Sequence, residues 1–261
     1  MTPDQRTALA YGLACHGLFA LAVGAMAWSL YHGLTGALVH VGGGWAAALD
    51  AALLLQFPLG HSLLLTRRGG RLLGRLAPEP WRGALATTLF AAVASLQLGL
   101  TFFLWAPMGE VLWRAEGGAL WISRLAFAGS WLLLGKAMWD AGLGVQTGAL
   151  GWWAAFRGER PRYPDMPTEG TFKACRQPIY LAFALIMWTG PVMTTDKLLM
   201  ALVWTAYCAL GPLHKERRYA QRYGARFAAY QARVPYLVPG LRLTRDAQAD
   251  GGMGLIPRPG A

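Results

Sequence analysis

The chain has 261 residues, of which 55% are apolar and only 14% charged, and it carries a formal net charge of +11. A soluble domain has about 25% charged residues and about 45–50% apolar ones, so too little polar sequence is present to clothe a soluble fold of this length. The basic balance would suit nucleic acid if it formed a patch, but the charges crowd at the ends of apolar segments, where lysine and arginine set membrane orientation and meet anionic headgroups. No nucleic-acid partner is expected. Cys15, Cys175 and Cys208 are the only cysteines and show no CxxC spacing, which excludes a disulfide scaffold and a cysteine-based zinc site; no metal is expected.

A hydrocarbon core of about 30 Å takes roughly 20 apolar residues as helix. Six segments present themselves in order: residues 8–31, 45–65, 84–106, 119–139, 178–193 and 198–213. The first is too long for a signal-peptide core and has no convincing cleavage site, so it reads as a retained span. The second is followed by TRRGGRLLGRLAPEPWR, which sets Arg67, Arg68, Arg71, Arg75 and Arg82 against Glu79 alone. In the fourth, Arg124 near the outer end can snorkel to the headgroups. Lys136, four residues before Asp140, can pair with it at the inner end. The last two segments are short and joined only by residues 194–197, which reads as a tight helical hairpin, tilted or partly shielded by protein.

The basic residues test this order. Twenty of the 24 lysines and arginines fall in the N-terminus, the segments after spans two and four, and the C-terminal tail, whereas the intervening loops hold only Arg114 and Lys197. That alternation obeys the positive-inside rule. The expected fold is therefore all-α: a polytopic transmembrane bundle of about six spans with both termini cytoplasmic. Trp28, Trp45, Trp105, Trp113, Trp121, Trp139, Trp152 and Trp153 lie near expected span ends, as amphipathic rings should. Three regions follow: transmembrane helices over 1–139, a core of inner loop, hairpin and tail over 140–245, and a disordered Gly/Pro-rich end over 246–261.

Polar residues concentrate on the inner side. Gly142, Gly144 and Gly148 loosen the chain after span four and surround Gln146. Further on comes Arg176-Gln177-Pro178-Ile179-Tyr180-Leu181, where Pro178 favours a helix start. Such a start presents free N–H groups to a carboxylate or other anion; Arg176 either joins that site or anchors the chain at the interface. After span six, Tyr219, Tyr223, Phe227 and Tyr230 share one helical face, with Arg218, Arg222 and Arg226 beside it. That pattern describes a C-terminal amphipathic helix lying at the cytoplasmic interface. Glu216, a lone carboxylate among arginines, is either ion-paired or holds a ligand. Of the five histidines, His16, His32, His40, His61 and His214, only His16 and His61 lie inside apolar segments, where they are either hydrogen-bonded within the bundle or, if they face one another, able to hold a haem. Phosphate loops, HExxH and GxSxG are absent.

RQPIYLAFALIMWTGPVMT, a second short span and KERRYAQRYGARFAAYQARVPYLVP together resemble the C-terminal half of the isoprenylcysteine carboxyl methyltransferase superfamily. The pattern there is R-H-P-x-Y-x-G, a helical hairpin, E-E-R, then a tyrosine-spaced tail ending in V-P. QFPLGHSLL around His61 and MWTGPVMT place the likeness in the branch of the bacterial methanethiol S-methyltransferases, near the NnrU-like proteins. The resemblance implies a cytoplasm-facing site for S-adenosylmethionine in a bacterial inner membrane, and methyl transfer to a small thiol or other small lipophilic or volatile acceptor. It places Gln146, Arg176, Gln177, Tyr180, Leu181 and Glu216 at the cofactor, and Arg217, with Glu216, at the reacting end. Three residues depart from the pattern: Gln177 stands for histidine, Ala182 for glycine and Lys215 for the first of the paired acids. These departures keep two other functions open, a haem-binding NnrU-like isomerase or denitrification accessory and a non-catalytic membrane partner.

Overall fold

The structure is a computed structural model and describes residues 1–241 apart from Ala37 and His40. The expected disordered end and His40 lie outside the described residues. Four long helices cover the first four expected spans: α1 (Pro3–Tyr31), α2 (Gly44–Leu64), α4 (Ala86–Leu104) and α5 (Gly117–Asp140). Among the described residues these four are long and apolar enough to cross a membrane. Their outward faces carry large apolar side chains, among them Leu13, Leu21, Leu59, Ile122, Leu125 and Leu132, all more than half exposed. Water would not favour that surface, whereas lipid would.

Local chemistry accounts for where the helices begin and break. Thr2 and Gln5 form a reciprocal capping box at the start of α1. Short α3 (Arg67–Gly74) follows α2, with Thr66 accepting from the Gly69 N–H. Past α5 the chain does not continue as helix. Gly142 and Gly148, both left-handed, set off the single turn α6 (Leu143–Gln146) from α5 before it and from α7 (Ala149–Arg157) after it. At Gly148 a Cβ would lie 2.7 Å from that of Ala91 and 3.0 Å from Cys15 Sγ. Only glycine allows α7 to seat against α1 and α4, where Trp152, Ala8, Leu85 and Ala155 form a second apolar cluster.

The main core lies between α1, α2, α4, α5 and the hairpin, and includes Met26, Leu54, Phe102, Phe127, Ile186, Met200 and Trp204. The hairpin differs from expectation. Its first arm, α8 (Pro178–Thr189), has only 12 residues, about 18 Å of helix. It ends at Gly190-Pro191, because proline disfavours helix in the residue before it and cannot continue the ladder. Residues Val192–Thr194 instead form strand β2, antiparallel to β1 (Val111–Arg114). This short arm is shielded by α5 and α9, with Ala182, Ala184, Ile186 and Met187 buried. The second arm, α9 (Thr195–Tyr223), runs 29 residues without a break from the apolar segment into the basic one. The loop end of the hairpin is pinned by backbone pairing. Asp196 Oδ2 accepts from the N–H groups of Met108 and Gly109, both at 2.9 Å, and Thr194 Oγ1 donates to the Gly33 carbonyl. Arg124 donates to the Tyr31 hydroxyl and lies over the Trp121 ring.

The tail is a second correction. Tyr219, Tyr223, Phe227 and Tyr230 do not share one continuous helix: Gly224, at φ 49°, ends α9 and starts α10 (Ala225–Arg233). The aromatic stripe turns inward at that bend. Phe227 and Tyr230 are buried with Met166, and Tyr219, Tyr223 and Val234 pack around them. The segment is amphipathic, but its apolar side covers protein.

Candidate functional site

A buried polar clamp forms where the start of α8, the basic half of α9 and the tail meet. Arg176, Gln177 and Glu216 are 4%, 2% and 7% exposed. Arg176 Nε donates to Glu216 Oε1 at 2.9 Å, with Nη2 at 3.4 Å from Oε2. The Gln177 amide donates to the same Oε1 at 2.9 Å, and the Gln231 amide of α10 to Oε2 at 2.9 Å. Arg176 then reaches the tail: Nη1 donates to the carbonyls of Gln231 (3.1 Å) and Val234 (2.6 Å), and its backbone N–H to that of Pro235. A guanidinium offers five donors in a fixed fork and a carboxylate about four acceptor positions, so each group is nearly saturated by its neighbours. A buried ion pair is tolerated only with that degree of satisfaction.

Around the clamp the tail closes with aromatic rings. Tyr236 lies beneath the Arg176 guanidinium, 5.5 Å from ring centre to Cζ, and its hydroxyl donates to the Ala209 carbonyl. The Tyr230 hydroxyl donates to the Phe172 carbonyl at 2.7 Å. Burial raises both phenols well above the ordinary tyrosine value, so both stay protonated and donating. Lys215 donates to Gln177 Oε1 at 3.2 Å, with the rings of Phe172 and Tyr219 beside its ammonium. This bond orients the Gln177 amide, leaving its NH₂ for Glu216. The turn holding Phe172 is fixed in place by Asp140, which pairs with Lys136 and accepts from both the backbone and hydroxyl of Thr171.

The residues expected at a site divide into two groups. Arg176, Gln177 and Glu216 come together although 40 positions separate the first from the last. Pro178 is the first residue of α8 and Gln177 its N-cap, so the helix start is where the sequence placed it. Leu181 is the first to bond back, to the Gln177 carbonyl, which leaves the preceding N–H groups of the helix unused by it. Tyr180 and Leu181 are half-buried in the first turn, Tyr180 within electrostatic reach of Tyr207, Tyr236 and Arg218. Arg217 is exposed on α9, about 100° round the helix from Glu216. Gln146 is exposed on α6 and makes no side-chain hydrogen bond to the clamp among the described residues. The histidines are engaged by separate neighbours. His16 Nε2 accepts from the Trp152 indole at 3.0 Å, whereas His61 packs against Phe57 and Phe90. Sequence reasoning missed Gln231, Tyr236 and the carbonyls of Val234 and Pro235. The only available signal is the QARVPY stretch itself, which lies in the expected tail.

The chain is similar to several known proteins over most of its length. The chain is 28% identical over 214 residues to methanethiol S-methyltransferase 2 of Bradyrhizobium diazoefficiens, covering 81% of each protein. It is 26% identical over 211 residues to a methanethiol S-methyltransferase of Pseudomonas deceptionensis, 79% of each. It is also 30% identical over 191 residues to Nurim of Rattus norvegicus, covering 64% of this chain and 70% of that protein. No family model matches the chain, and no solved structure does.

Proposed function

The chain belongs to the isoprenylcysteine carboxyl methyltransferase-like membrane family, and from that premise we propose that it is an S-adenosylmethionine-dependent methyltransferase acting on a small thiol such as methanethiol, or on another small lipophilic acceptor. The observation that carries this reading is the convergence of Arg176, Gln177 and Glu216 at the start of α8. Those residues suit the amino-acid end of such a donor: a helix start favours a carboxylate, and Glu216 favours an ammonium. Gln231 already donates to Glu216 Oε2, so an ammonium there would take the place of that amide. Tyr180, Leu181 and Gln146 complete the proposed donor site.

When bound, the donor supplies a methyl group already activated on a sulfonium. The protein's task is then alignment and exclusion of water. The acceptor thiol must lose its proton, because the thiolate is the nucleophile, and the guanidinium of Arg217, the next residue in sequence after Glu216, would turn from its exposed position to stabilise that anion. The exposed apolar side chains of α5, such as Ile122, Leu125 and Leu132, suit an acceptor that partitions into lipid. By the positive-inside rule the arginine-rich end, and with it the clamp, faces the cytoplasm of a multi-pass protein in the inner membrane.

The test is methyl transfer by the purified full chain, with methyl-labelled S-adenosylmethionine and methanethiol and headspace detection of labelled dimethyl sulfide. Labelled product that falls at least tenfold with Arg217→Ala is expected. Donor binding without transfer to any small thiol would overturn the acceptor; absence of donor binding would overturn the cofactor.

A further inference from the structure

We propose that α3 and the turn after it form a binding site for the headgroup of an anionic phospholipid. Arg68, Arg71 and Arg75 are spaced i, i+3, i+7 and so share one face of this short helix. All three are exposed, and with Leu72 they line a hollow of about 470 Å³. Among the described residues none of the three makes an ion pair. The nearby acid, Glu79, is taken by Arg82 at 2.9 Å. Three like charges within about two turns repel one another unless an anion lies between them.

Two further features of α3 and the turn after it select lipid over a free anion. Leu72 and Leu76 form the adjacent stripe and are 53% and 57% exposed. On the opposite side Gly69 and Leu73 are buried, and a Cβ at Gly69 would lie 2.5 Å from Leu64 Cα, so the helix is seated tightly against the end of α2. Around its circumference α3 thus presents a protein-facing side, an exposed apolar stripe and a cationic stripe. That order places acyl carbon against leucine and phosphate against arginine, as in a helix lying in the plane of the interface. A free phosphate has no use for the leucines. The site is also joined to the clamp's helix, since Arg218, two residues beyond Glu216, donates to the Leu65 carbonyl at the corner between α2 and α3.

The experiment is native mass spectrometry of the full chain, purified in detergent and exposed to phosphatidylglycerol or phosphatidylcholine, with inorganic phosphate as competitor. The wild type is expected to retain phosphatidylglycerol preferentially, with affinity falling about fivefold per arginine removed in Arg68→Gln, Arg71→Gln and Arg75→Gln. Arg82→Gln, which removes an ion-paired arginine outside the hollow, is expected to leave retention unchanged. All four substitutions lie on exposed side chains, and equal thermal midpoints in phosphatidylcholine check that they fold. Equal retention of phosphatidylglycerol by the triple variant, or equal retention of phosphatidylcholine by the wild type, would overturn the site. Displacement of the lipid by millimolar inorganic phosphate would overturn its assignment to lipid and leave a free-phosphate site instead.

Discussion

Glu216→Ala removes the acceptor on which three elements converge. Arg176 Nε and Nη2, Gln177 and Gln231 would all lose a partner, while Arg176 keeps its bonds to the Gln231 and Val234 carbonyls. Leaving one member of a buried pair uncompensated costs about 3–5 kcal/mol. For a protein of this size that lowers the unfolding midpoint by roughly 6–20 °C. Arg176→Met is expected to cost a similar amount, because it strands the carboxylate. The double variant Arg176→Met/Glu216→Leu should then be less destabilised than the sum of the two singles by about 1–3 kcal/mol, since neither charge is left alone. The assay is thermal unfolding of the full chain in detergent, followed by tryptophan fluorescence at several scan rates. Strict additivity, or a single-variant loss below about 1 kcal/mol, would refute the claim that this pair holds the tail to the hairpin.

Gln231→Ala leaves Glu216 Oε2 with Arg176 Nη2 alone and is expected to tighten S-adenosylhomocysteine binding about tenfold or more, the worth of one hydrogen bond to a charged group; weaker binding by calorimetry would mean that Gln231 builds the site and does not compete for it. Tyr230 and Tyr236 have hydroxyl pKa values raised by burial, so the folded state keeps protons that the unfolded state has lost above about pH 10. Stability should fall as pH rises beyond that value, and Tyr230→Phe/Tyr236→Phe should flatten the fall while losing about 1–3 kcal/mol at neutral pH; parallel pH profiles for the two proteins would contradict this. Gly148→Ala forces a side chain into left-handed backbone against Ala91 and Cys15 and is expected to cost about 2–4 kcal/mol by thermal unfolding. An unchanged midpoint would show that α7 is not seated there.

The four long helices were legible because lipid imposes a length of apolar sequence, and arginine placement then orders them. The hairpin was legible only in outline. Gly190-Pro191 marks the end of α8 in plain sequence, but its apolar surroundings invited an extension to Met193. The pairing of Val111–Arg114 with Val192–Thr194 carried no local signal, since strands of three or four residues are set by a partner some 80 positions away. In the tail, the tyrosine spacing fits a single helix, and only the left-handed bend at Gly224 divides it. At the site, Arg176 and Glu216 stood out as charges beside apolar runs. Gln231 and the carbonyls of Val234 and Pro235 did not, because a backbone acceptor looks the same in every sequence. Lys215 was visible as a departure from the family pattern, but its bond to Gln177, the neighbouring departure, emerged only from the fold.

The central claim is that the clamp at the start of α8 holds a methyl donor, and calorimetric titration of the detergent-purified full chain with S-adenosylhomocysteine tests it most directly, alongside Glu216→Gln as the variant closest in shape. Micromolar binding to the wild type, weakened at least tenfold in a Glu216→Gln protein that still unfolds cooperatively, is the expected result. No binding to the wild type, or equal binding to both proteins, would contradict it.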